Sequence, residues 1–147
     1  MVSSVCSFGI QALNAFVVHV ESDISRGIPD FDIIGLGDAA VKEARKRVWS
    51  ALRNQNFEFP RGKIVINLAP ASMRKCGAAL DLSIALSILS ASGILRADLF
   101  QNTAVIGELS LDGGLHAADG VMAMLSAVSY THLIHGRDPV KCIYRAG

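Results

Sequence analysis

Seven cations carry the clearest chemical content of this sequence: Lys42, Arg45 and Lys46 in one group, Arg61 and Lys63 in a second, and Arg74 and Lys75 side by side. Phosphate contacts need a cluster of this kind, because each cation that neutralises a phosphate releases condensed counterions. Arg74 and Lys75 are the best placed, in a loop leading to a helix N-terminus where unpaired N–H groups add to the positive field. Lys42 and Lys46 are the matching candidates on a helix. The same residues equally suit the solvated face that any amphipathic helix presents. His132, His135 and Cys142 have ligand chemistry, but their short spacing in an aperiodic segment fits plain surface residues, so no metal is expected. His19 and His116 are isolated and read as structural. The P-loop pattern, GxxxxGK followed by Ser or Thr, does not occur; RGK at 61–63 and GRDPVK at 136–141 have the letters without the spacing. This stretch should therefore neither hydrolyse ATP nor hold a cofactor.

The elements that must position these groups centre on residues 63–92. Ile64, Val65, Ile66 and Leu68 form a β-branched run stopped by Pro70, the pattern of a strand covered on both faces. Ala78–Ser92 predicts an interior helix with Leu80, Ile84 and Ile88 at i+4 spacing. Ser83, Ser87 and Ser90 share one face of it, where a neighbour can approach closely, and their hydroxyls can bond back into their own turn. Asp81 falls in the first turn, where a carboxylate complements the exposed N–H groups. Upstream, Val2–Phe8 and Ala15–Val20 read as strands joined around residues 9–14, and Phe31–Ile34 as a third. Asp38 then caps a helix whose apolar positions are Val41, Ala44, Val48, Ala51 and Leu52, with Glu43 and Arg47 as an i, i+4 pair. Phe57 and Phe59 read as plugs at the edge of the core. Gly93 ends the central helix. Downstream come a loop over 95–102, a strand at Thr103–Ile106, a hairpin over Glu108–Leu115 turning at Asp112-Gly113, and an amphipathic helix over Gly120–Tyr130.

At 147 residues the chain fits one domain. No apolar run approaches the ~20 residues needed to span a bilayer, and the N-terminus lacks a signal-type pattern, so a cytoplasmic protein with no membrane partner is expected. A net charge of +1 leaves any nucleic-acid role to a local patch. Cys6, Cys76 and Cys142 are odd in number and widely spaced, as reduced thiols would be.

Three stretches taken together, SDISRGIPDFDIIGLGDAAVKEARKRVWSAL, INLAPASMRKCGAALDLSIALSILSASG and GELSLDGGL, resemble the N-terminal domain of the YifB/ComM family of magnesium-chelatase-like AAA+ ATPases. The likeness runs over residues 2–128, which makes 1–128 the domain and 129–147 a tail that reads as disordered or foreign to it. It implies an α+β fold like ribosomal protein S5 domain 2, related to the Lon protease domain, with a mixed sheet packed by two or three helices. It also implies a non-catalytic module at the front of a hexameric ATPase, with ATP and Mg2+ bound elsewhere in the parent. The implied partners are that AAA+ module, neighbouring subunits and single-stranded or branched DNA, since the family includes a branch-migration motor of natural transformation. A protein-interaction adaptor without DNA contact is the alternative.

Kinship with Lon raises a peptidase alternative, in which a Ser nucleophile is deprotonated by a Lys. The resemblance puts the nucleophile position at Ala79 and the amine position near Met122, a methyl group and a thioether. Ser72 lies in the preceding loop, and Ser83 a turn into the helix. The chain departs from the family pattern at Gly37 and Ser83, where Pro is usual, and at LHAADG, where LRPVRG is usual and two basic residues are lost.

Overall fold

The computed structural model describes residues 2–12 and 14–126, together with the backbone of Lys141–Ile143. Strand β1 (Val2–Gln11) turns tightly at Ala12, which has φ 56°, into β2 (Asn14–Ser25), so the hairpin is longer and its turn shorter than the sequence pattern predicts. β3 (Asp30–Ile34), helix α1 (Ala39–Asn54) and β4 (Lys63–Ala69) then form a βαβ unit with β3 and β4 parallel. Helix α2 (Asp81–Ala91), a single 3-10 turn (Ala97–Phe100), β5 (Thr103–Val105) and the short hairpin of β6 (Glu108–Leu109) and β7 (Leu115–His116) follow. Helix α3 begins at residue 121 and is described to 126, and β8 (Lys141–Ile143) runs parallel to β5. The main sheet is mixed, in the order β3-β4-β2-β1-β5-β8. The expectation of a disordered or foreign tail over 129–147 falls outside the described residues, apart from the β8 pairing at 141–143.

Register explains which residues are inside. Val18 and Val20 of β2, Phe31 and Ile33 of β3, and Ile64, Ile66 and Leu68 of β4 face one side and pack with α1 and α2. Removing each such side chain from water stabilises the fold by about 1.5–3 kcal/mol, so a one-residue slip in β4 would be prohibitive. All five apolar positions expected on α1 are buried, and Asp38 accepts the Val41 N–H at 2.8 Å as its cap. The serine face of α2 meets the sheet: Ser90 bonds Ser3 at 2.7 Å, Ser87 bonds Ser22 at 2.5 Å, and Ser83 donates back to the Leu80 carbonyl. Hydroxyls let β1 and β2 lie this close to the helix with every polar atom paired. Phe59 plugs the core edge against Phe31, with ring centroids 5.7 Å apart, whereas Phe57 is exposed.

The second face of the sheet corrects the expectation for β4. Cys6, Phe8 and Ile10 of β1, with Ala104, are covered there by Ile106 and by Met124 of α3. Over β2, β4 and β3, however, the same face carries His19, Glu21, Lys63, Val65, Asn67, Asp30, Asp32 and Ile34, all exposed or half-buried. β4 is thus sealed on one face only. Its alternation of buried and half-buried residues shows in the structure, but a β-branched run masks it in sequence because Val65 is apolar on the open side.

Candidate functional site at the start of α1

Between β3 and α1 the chain reverses through Gly35 at φ 104° and Leu36 at φ 61°. Gly35 has no alternative: a Cβ there would stand 2.3 Å from the Leu68 carbonyl oxygen. The loop of residues 70–77 is stitched onto this reversal. Lys75 N–H donates to the Leu36 carbonyl at 3.1 Å, Asp38 N–H donates to the Lys75 carbonyl at 3.0 Å, and Gly77 N–H donates to the free oxygen of Asp38 at 3.3 Å. The Lys75 side chain completes the joint, since Nζ donates to the Gly35 carbonyl at 2.9 Å and to the Pro70 carbonyl. The joint ties the backbone next to Arg74, whose side chain is exposed, to the residues that lead into α1.

This geometry corrects one of the four expected phosphate contacts. Lys75 is 0% exposed, and burial holds its ammonium below the ordinary lysine value. Carbonyl dipoles compensate a buried cation where water cannot reach. Lys75 therefore builds the site instead of contacting a ligand, while Arg74, Lys42 and Lys46 keep their charges in solvent. The seven cations do not form one patch: Lys63 projects from the open face of the sheet, in register with Asp30, and Arg61 lines a separate cleft of about 720 Å³ with Glu58, Phe59 and Ile94. Arg45 remains with the α1 group and donates to the Phe31 carbonyl at 3.0 Å.

A second charge is also structural. Arg47 reaches Asp81 on α2 with Nε to Oδ2 at 2.6 Å and Nη2 to Oδ1 at 3.0 Å, and it donates to the Ala40 carbonyl. Asp81 lies in the first turn of α2 as expected and Glu43 adds a favourable charge to Arg47, but the direct bond Arg47 makes is this bidentate pair across the two helices. Burial pushes the Asp81 carboxyl up, against the pull of the Arg47 guanidinium and the Leu109 N–H; its hydrogen bond to Asp81 raises Arg47. Reading α1 for cations alone also passes over Trp49, which stands 42% exposed among them with Arg53 stacked 4.4 Å from its ring centre.

The family profile for subunit ChlI of Mg-chelatase matches residues 20–135. The chain belongs to the ChlI family. Among curated members, YifB of Escherichia coli, itself uncharacterized, is 43% identical over 111 residues, covering 76% of this chain and 22% of that protein. Competence protein ComM of Haemophilus influenzae is 41% identical over 127 residues, covering 86% and 24% respectively. The chain thus spans about a quarter of the length of these ChlI-family relatives. In this family member, Ala79 packs against the Phe8 and Met124 cluster, and its carbonyl accepts the Gly107 N–H. Met122 is 77% exposed. Ser72 is exposed in the stitched loop, and Ser83 is buried with its hydroxyl given to Leu80. His19 lies on β2 with Nδ1 3.5 Å from Cys6 Sγ, and burial raises the Cys6 thiol. His116 is exposed on β7, whereas His132, His135 and the Cys142 side chain lie outside the described residues. Among the described residues no helix is long and apolar enough to cross a membrane, and no three potential ligands gather for a metal.

Proposed function

We propose that this chain is the N-terminal module of a ComM-like, magnesium-chelatase-like AAA+ ATPase of the cytoplasm, and that it engages DNA through Arg74, Lys42 and Lys46. On this reading the scaffold is of the ribosomal protein S5 domain 2 type. The nucleotide site and Mg2+ belong to the other three quarters or so of the parent's length, and neighbouring modules meet in a hexameric ring. The competence role named for the Haemophilus relative and the mixed sheet with α1 and α2 on one side support it. The observation that carries the DNA role is the Lys75 joint, which anchors the loop bearing the exposed Arg74 to the Asp38-capped start of α1, the helix that carries Lys42 and Lys46. The open sheet face bears Glu21, Asp30 and Asp32 against Lys63, so its acids outnumber its bases, which favours approach of a polyanion from the α1 side.

Anisotropy titrations of labelled single-stranded and forked DNA over a range of salt test this. Binding should weaken steeply with salt, and Arg74→Ala should flatten the log–log slope by about 0.7 on a single strand or 0.9 on a duplex. An unaltered slope in Arg74→Ala and in the Lys42→Ala/Lys46→Ala pair would remove DNA from this domain. The adaptor reading has one observation in its favour, the open sheet face with Ile34 48% exposed among acids. Retained partner capture with no DNA binding would select it.

A further inference from the structure

We propose that α1 reads single-stranded nucleic acid, with Trp49 stacking on an unpaired base while Lys42, Lys46 and Arg53 hold the flanking phosphates. This rests on the DNA role proposed above and names the form of nucleic acid the domain takes. At 3.6 residues per turn, positions 42, 45, 46, 49 and 53 fall within an arc of about 100° and extend along ~16 Å of helix. The buried positions Val41, Ala44, Val48, Ala51 and Leu52 are centred about 120° round the helix from this stripe, so Lys42, Lys46, Trp49 and Arg53 face outward while Arg45, at the stripe's edge beside Leu52, bends back to the Phe31 carbonyl. Glu43, the helix's sole acid, lies about 60° beyond Lys46 at the edge of the stripe. Arg47, the remaining cation, is taken up by Asp81.

Trp49 keeps 42% of its surface exposed even with Arg53 seated over its ring, so a large aromatic surface stands open to a ligand within the stripe. The Arg53 contact holds the ring in place and adds a charge at the point where a nucleotide would arrive. Cations alone attract any nucleic acid. A flat aromatic surface discriminates, because a base offers its π-face only when it is out of the helical stack, and every base has such a face whatever the sequence. The chemistry thus fits an unpaired strand without strong sequence preference, from DNA or RNA.

The chain contains one tryptophan, so its own fluorescence reports the contact. It should be titrated with an oligothymidylate, an oligouridylate and a blunt duplex of equal length, with anisotropy followed in parallel. The expected result is saturable quenching by one or both single strands, with the two oligonucleotides deciding between DNA and RNA, and weaker binding of the duplex. Trp49→Ala should bind about 5- to 100-fold more weakly at an unchanged salt slope, and Trp49→Phe should retain most of the affinity. Salt-dependent binding without quenching, or with Trp49→Ala equal to wild type and folded by circular dichroism, would overturn the stacking role and leave the electrostatic one standing. A duplex bound as tightly as the single strands would overturn it too. Failure of all three ligands to bind would remove both.

Discussion

A lysine sealed from water spends its ammonium on whatever oxygens surround it, and at Lys75 these belong to Gly35 and Pro70. Replacing it with Met keeps the volume and removes the donor, leaving two carbonyls short of a partner. Lys75→Met should cost about 1–3 kcal/mol at neutral pH, measured by urea denaturation. The pH dependence follows from burial, which lowers the native ammonium below the unfolded value of 10.5. As pH rises through that interval the unfolded chain holds more protons than the native one, so stability gains with pH. Lys75→Met lacks this gain, and wild type's advantage should widen as pH rises from neutrality toward 10.5; a constant or shrinking gap would refute the burial of the charge. In sequence, Arg74 and Lys75 are indistinguishable as phosphate ligands. What separates them is the backbone of a reversal about forty residues away, which local spacing does not encode. Trp49 was legible in principle, since its helical phase among the cations follows from counting alone.

At the level of elements, the amphipathic α1 declared itself because one face is wholly apolar and its cap is local. The α2 helix was legible as interior, down to its serine face, but its N-terminus was not. Leu80, already in helical geometry, is the cap and Asp81 the first helical residue, while Ala79 just before them and the first-turn N–H of Leu82 bond to Gly107 across the chain. How α1 and α2 are joined was invisible too, since Arg47 and Asp81 are 34 positions apart. That joint gives a sharp prediction. Arg47→Met strands a carboxylate that is 0% exposed, which costs about 3–5 kcal/mol near pH 7, less whatever the partly exposed guanidinium loses to solvent screening. With the guanidinium gone, the native carboxyl is raised further above its unfolded value of 3.8. A raised carboxyl binds its proton more tightly in the native state, so stability is present at low pH and lost as pH rises. The Arg47→Met defect should therefore shrink on acidification toward pH 4, and Arg47→Met/Asp81→Leu should recover most of it at neutral pH. A double variant as unstable as the single one would show that the pair holds the helices by more than charge.

At the scale of the molecule, three apolar clusters among the described residues are tied together by shared elements. β2, β3, β4, α1 and α2 share the largest; β1 contributes Phe8 to the cluster on the opposite face and Val5 to the third, beneath the 3-10 turn. Leu82 and Leu86 of α2 pack against both the first and the third. Because α2 and β1 each belong to two clusters, neither can leave without exposing apolar surface in both, and no cluster forms an independent unit. The prediction is a single cooperative unfolding step for residues 1–147, despite the relatives being about four times as long. Far-ultraviolet circular dichroism sees every helix and strand, while Trp49 fluorescence sees α1 alone. Their urea midpoints should coincide. If the Trp49 signal is lost at lower urea, α1 detaches before the sheet, the Arg47–Asp81 joint is too weak to couple the helices, and the cationic stripe is not held rigidly enough to position a nucleotide.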